Sequence, residues 1–233
     1  TISLLIRSLW RRENIMVCPE ASALSDLITN GNWEQARTLC EADTELSSQW
    51  YSLPDFYDSI VDNEEVVDVL PIHQACANQP PRDIIQALTR SYPKCIKIAD
   101  RSYLRLPLHI ACRSGASADT VCAILELYPE AAQAKDILGR LPIHYACANG
   151  ASNEVIRKLV DSHPLGCQER DSKGWIPLHI LVSKRENSFK VKRVLDAYPE
   201  GRDVETSGGK TAQDLAKGVR MKFKVRRSSR IMQ

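Results

Sequence analysis

Four histidines stand in near-copies of one tetrapeptide: Leu70-Pro71-Ile72-His73, Leu106-Pro107-Leu108-His109, Leu141-Pro142-Ile143-His144 and Ile176-Pro177-Leu178-His179. Cys76, Cys112 and Cys147 follow the first three at a spacing of i, i+3. On a helix that spacing puts a base and a thiol on one face, the geometry of an activated cysteine nucleophile. Four recurring histidines also suggest a zinc site. Repetition argues against both. The histidines lie 36, 35 and 35 residues apart, a period that marks stacked repeating units. Equivalent positions in stacked helices sit about 8–10 Å apart, whereas zinc binds nitrogen at about 2 Å. Val182 replaces the cysteine in the fourth unit. The histidines and cysteines are therefore expected to be packing columns, the histidines bonding turn backbone. No convergent acid, base and nucleophile set remains, so the chain reads as a non-enzyme with no cofactor, no metal and no small-molecule substrate.

The elements that carry these residues follow from the same register. Pro in the tetrapeptide suits the first turn of a helix, where its missing N–H is no loss. Small residues follow each His (Ala75-Cys76, Ala111-Cys112, Ala146-Cys147) and allow close helix approach. A break comes next, at Asn78-Gln79-Pro80-Pro81, Ser114-Gly115 and Asn149-Gly150, where glycine suits a helix C-terminus. A second helix is expected from Ile84, Ile85 and Leu88, from Val121, Ile124 and Leu125, and from Val155, Ile156, Leu159 and Val160, each set on one face. It should stop before Tyr92-Pro93, Tyr128-Pro129, His163-Pro164 and Tyr198-Pro199, because a residue preceding Pro avoids the α region. An extended return then reaches a turn, Asp136-Ile137-Leu138-Gly139 or Asp171-Ser172-Lys173-Gly174.

Turn, Pro-started helix, break, second helix and return loop together resemble the ankyrin repeat. The x-Pro-Leu/Ile-His-x-Ala pattern and the Asp-x-x-Gly turn carry the resemblance, and Gly209-Lys210-Thr211-Ala212-Gln213-Asp214-Leu215-Ala216 fits as a last unit. The resemblance implies an all-α solenoid of about six units. It covers residues 65–216 and extends back over 20–45, where Leu24, Leu27, Ile28, Ala36 and Leu39 suggest a degenerate first helix pair. Three features depart from the family. The usual Thr before Pro is Leu or Ile in four units, so a Thr–His side-chain bond is absent and apolar packing is expected to replace it. The period is 35, not 33. Residues 46–66 read as an insertion.

Three segments are expected: 1–17 outside the repeats, 18–216 as the repeat domain and 217–233 as a basic tail. Residues 13–81 hold 13 acidic side chains and one base, Arg37, while the tail holds seven bases and no acid. The stack is thus expected to be acidic at one end and basic at the other. No apolar run is long enough for a transmembrane segment. Ile2 to Trp10 is short and interrupted by Arg7, a poor signal peptide. The chain opens on Thr1, with Met16 as a candidate start. The eight cysteines show no metal-type spacing and suit a reducing, intracellular location, cytoplasmic or nuclear.

In ankyrin proteins the turn tips and the inner-helix edge commonly contact partner proteins. Mapped by register, the residue after the turn glycine gives Arg105, Arg140, Trp175 and Lys210. Nearby tip positions give Tyr103, Ile137, Leu138 and Lys173, and the inner-helix edge gives Arg113, Asn149 and Lys184. Arg, Trp and Tyr are enriched in interface hot spots. The column is expected to be exposed, with Trp175 presented to a partner, not folded onto a neighbouring tip. The resemblance implies a protein–protein interaction scaffold or adaptor whose partner is another protein. The alternative is a regulatory or targeting segment of a larger signalling protein. Trp50, Tyr51, Phe56 and Tyr57 in the insertion either cap the stack or serve function. The tail reads as a solubilising cap before nuclear import, nucleic acid or anionic membrane contact.

Overall fold

A computed structural model describes residues 19–54, 56 and 66–216. Among the described residues, five helix pairs and a sixth opening helix form one stack. The short inner row is α1 (Pro19–Thr29), α3 (Pro71–Ala77), α5 (Pro107–Arg113), α7 (Pro142–Ala148), α9 (Pro177–Ser183) and α11 (Ala212–Ala216). The outer row is α2 (Trp33–Ala42), α4 (Arg82–Ser91), α6 (Ala118–Leu127), α8 (Asn153–Ser162) and α10 (Ser188–Ala197). Each inner helix packs on the next inner helix and each outer helix on the next outer one. The degenerate first pair expected near residues 20–45 is present as α1 and α2.

The inner helices α3, α5, α7 and α9 are seven residues long because both ends are specified. Their N-caps hold extended backbone, φ −72 to −94° and ψ 160 to 163°, as a residue before Pro must. Their C-termini close on a left-handed residue: Gln79, Gly115, Gly150 and Arg185, φ 54 to 72°. Beyond it the chain turns back, and the Ala116 N–H donates to the Ala111 carbonyl at 2.9 Å. The outer helices α6, α8 and α10 start on side-chain caps not read from the sequence. Ser117, Ser152 and Asn187 accept the N–H groups of Thr120, Val155 and Lys190. Outer helices stop before the Pro as expected. The return differs from expectation: it opens as a tight 3-10 turn, at Cys95–Lys97, Pro129–Gln133, Pro164–Cys167 and Pro199–Arg202, and only then extends. Proline fixes φ near the helical value, so it starts a new turn.

The core is continuous from Leu24 to Ala216. Ile85, Ile124, Ile156 and Val194 from successive outer helices are at most 1% exposed. Cys76, Cys112 and Cys147 are buried free thiols on the inner helices, the packing column expected. Burial pushes the thiols of Cys76 and Cys112 up, and that of Cys147 well up, away from the reactive thiolate.

A two-stranded antiparallel pair closes the insertion, β1 (Tyr51–Leu53) within it and β2 (Val67–Val69) just after it, with Tyr51 opposite Val69. Tyr51 is buried, and Trp50 and Phe56 pack partly on the core. Tyr57 and the tail beyond residue 216 lie outside the described residues, as does the segment before residue 19.

Because each unit touches only its neighbours, truncation at one interface is felt at once. Ile156→Ala should lower unfolding free energy by about 2–5 kcal/mol in urea titration.

Candidate partner interface

The four repeated histidines are fasteners between units. The Leu106 N–H donates to His109 Nδ1 at 3.1 Å, and His109 Nε2–H donates to the carbonyls of Ala134 at 3.0 Å and Arg140 at 3.1 Å. His73 joins Leu70 N–H to the Ile98 carbonyl, His144 joins Leu141 N–H to that of Glu169, and His179 joins Ile176 N–H to that of Val204. An amide donates only and a carbonyl accepts only. Each ring is thereby held neutral with its proton on Nε2. This corrects the expectation drawn from the missing Thr. Apolar packing does not replace its bond; the backbone N–H of the Leu or Ile makes a bond to the ring instead. Each histidine also secures the return loop 25 residues on.

A second column builds the tips. Asp136 Oδ1 accepts the N–H groups of Leu138 and Arg140, both at 2.9 Å, and Asp171 Oδ1 accepts those of Lys173 and Trp175, both at 2.9 Å. Asp100 accepts from Ser102, Tyr103 and Arg105. The other oxygens face the preceding tip: Arg105 Nε lies 3.4 Å from Asp136 Oδ2, and Arg140 Nε 3.3 Å from Asp171 Oδ2. Tyr145 Oη donates to Asp136 at 2.5 Å and accepts from Arg105 at 2.9 Å. At the next junction both halves change together. Trp175 replaces Arg and Thr206 replaces Asp, and the Trp175 ring meets His179 edge-on, centroids 6.1 Å apart. Tyr145 does the same over His109 at 6.2 Å. Trp50 lies over His73 at 6.4 Å and under the Arg101 guanidinium at 4.1 Å. Backbone bonds link the tips: Ile137 N–H to the Tyr103 carbonyl, Ser172 to Leu138, and Ser207 to Lys173.

The expected exposed column is thus heterogeneous. Arg105 is 5% exposed, contrary to expectation, because its guanidinium closes the Asp136–Tyr145 network. Arg140 and Trp175 are partly buried, and Trp175 covers His179 in its own repeat. Lys210, Lys173 and Ile137 are exposed. Tyr103 and Leu138 are half-buried, Tyr103 stacked under Arg105 at 4.3 Å. On the inner-helix edge, Asn149 and Lys184 are exposed and Arg113 is partly buried. Asn149 and Arg113 line one open groove of about 710 Å³ with Gln74, Asn78 and Ser114. Leu53, Pro54 and Phe56 of the insertion wall that groove. The sequence reading did not foresee this placement of the insertion, because nothing local tells which way a hairpin leans.

One tip residue was also missed. Leu104 holds φ +55°, in the place of Gly139, Gly174 and Gly209, which hold φ 68 to 72°. A side chain in the left-handed region costs on the order of 1–2 kcal/mol. The signal was in the sequence: the step from His73 to His109 is one residue longer, and the extra residue lies between Asp100 and Arg105.

Two predictions follow from the fasteners. Arg105→Ala should destabilise the fold by about 3–5 kcal/mol in urea, leaving a buried carboxylate unpaired, whereas Lys210→Ala should be nearly neutral. Burial lowers the affinity of His73 and His109 for a proton to about 4, and it lowers that of His144 and His179 as well. The unfolded rings take up protons near pH 6.5, so between about pH 6.5 and 4 the unfolded chain binds more of them. Stability is therefore full above about pH 6.5 and falls toward pH 4, each ring adding up to about 1.4 kcal/mol per pH unit. Melting temperatures across that range should decline steadily, and a flat profile would refute the neutral fasteners.

Comparison with curated proteins yields no match. The family model of ankyrin repeats matches residues 108–207 in three copies. The matched stretch holds the histidines at 109, 144 and 179 and the helix pairs around them; residues 108–207 are ankyrin repeats, and the described residues stack as an all-α repeat solenoid.

Proposed function

We propose that this chain is a non-catalytic scaffold or adaptor that holds another protein against its repeat tips and inner-helix edge. Ankyrin repeats are in general protein–protein interaction modules. One observation carries the finer reading. The four repeated histidines and the inner-helix cysteines are buried in the stack, while Asn78, Arg113, Ser114 and Asn149 from successive repeats share one open groove. Such a row offers hydrogen-bonding groups at repeat spacing to one extended or helical ligand. Trp175 and Arg140 act foremost within the stack: Trp175 covers His179 of its own repeat, and Arg140 meets Asp171 of the next tip. Lys173, Lys184, Asn149 and Lys210 are the positions to test. Free thiols at Cys40, Cys76, Cys95, Cys112, Cys122, Cys147 and Cys167 support a reducing compartment, cytoplasmic or nuclear. No helix among the described residues is long and apolar enough to cross a membrane.

A photo-crosslinking side chain placed in turn at Lys173, Lys210 and Asn149, and at Leu127 and Lys192 on the outer helices, tests the reading in cells. The three tip and groove positions should capture one common protein, identified by mass spectrometry and then reconstituted with purified material. Capture of that protein equally from the outer helices, or no common protein from the tips and groove, would contradict it.

A further inference from the structure

Leu104 is strained and exposed at once. It occupies the left-handed position that glycine fills in the next three tips, and its side chain is 54% exposed. More than half of the residue faces solvent, so packing offsets that backbone only in part. Ile137, on the adjacent tip, is 52% exposed, and its N–H donates to the Tyr103 carbonyl at 3.1 Å, which sets the two apolar side chains on neighbouring rungs. The next two tips present Lys173 and Lys210 to solvent. The turn aspartates do not balance them. Asp100, Asp136 and Asp171 are at most 7% exposed and bound to tip N–H groups, and Thr206 stands where a fourth would be. The tip edge therefore runs from apolar to basic along the stack. A strained residue held in place with only partial local benefit points to a use outside the fold.

We infer that this edge binds an extended acidic–apolar segment of the partner protein. Repeats stack about 10 Å apart, so Leu104 and Lys210, three intervals apart, are separated by roughly 30 Å. An extended chain rises about 3.3 Å per residue, so about nine residues cover the edge. Two apolar side chains near one end of the segment meet Leu104 and Ile137. Aspartates or glutamates near the other end meet Lys173 and Lys210. Matching charge and spacing, not groove shape, would set the choice.

The inference rests on the tip-binding reading, and the two fail separately. Fluorescence anisotropy is measured with the full chain and labelled peptides of about twelve residues in a Ser/Gly background. The lead peptide carries two leucines and three aspartates, the clusters about five residues apart. Three controls replace Asp by Lys, replace Leu by Ser, or place the clusters side by side. The lead peptide should bind, and each control should bind at least about tenfold more weakly. Leu104→Gly should weaken the lead peptide by a similar factor with a melting temperature equal to or above that of the parent, since it relieves the backbone. Lys173→Glu should weaken it too and restore binding of the Lys peptide. Equal binding by Leu104→Gly, equal binding of the Lys peptide, or no binding of the lead peptide would overturn the inference, with crosslinking from Lys173 and Asn149 still able to uphold the tip reading. A marked fall in the melting temperature of Leu104→Gly would also overturn it, showing that Leu104 serves the fold.

Discussion

A neutral histidine bonded at both ring nitrogens holds this structure in register. Each ring takes the N–H of its own helix N-cap and gives its proton to the carbonyl that ends the next return loop, as His109 does between Leu106 and Ala134. The N-cap N–H groups are buried and the carbonyls partly so, and an unpaired buried donor or acceptor costs about 1–3 kcal/mol. One side chain thus satisfies two of them and ties local structure to the neighbouring repeat. Helix start, loop path and repeat spacing all depend on that pair of bonds. Asp136 and Asp171 do the same at the tips, closing a turn with one oxygen and receiving the preceding Arg with the other.

This division of labour separates stability from binding. Polar columns that look reactive in the sequence are spent inside the stack, between units. On the proposed function, tip side chains are left for partners only where the clamp does not need them. Arg105 is fully engaged, Arg140 partly, and at the third junction Trp175 and Thr206 abandon the ion pair for an aromatic contact with His179. The concerted change of both columns is what a clamp requires, because an Asp left without its Arg would be a buried unpaired charge.

Much of the fold was legible because the repeat multiplies every weak signal. One Leu-Pro-Leu-His says little, but four in register, each with a Pro stop behind it, place the helices from α3 to α10. What stayed hidden depended on contacts between units. The burial of Arg105 arises from Asp136 and Tyr145, 31 and 40 residues away. The caps at Ser117, Ser152 and Asn187 are legible in hindsight, because each is a favoured N-cap residue directly before its outer helix. Leu104 was concealed by alignment: the tip is one residue longer, and the glycine position shifts past the eye. The insertion could be recognised by length and aromatic content, but its lean over the groove at Asn78 and Arg113 is a tertiary fact.

The tautomer of the repeated histidines tests the central claim most directly. Long-range nitrogen–proton NMR correlation at pH 7 separates Nδ1 from Nε2, with His163, which lies outside the column, as an internal reference. The account predicts that His73, His109, His144 and His179 all carry the proton on Nε2, with Nδ1 bare and shifted as a hydrogen-bond acceptor. A proton on Nδ1, or the averaged pattern of a ring exchanging freely with water, would contradict it.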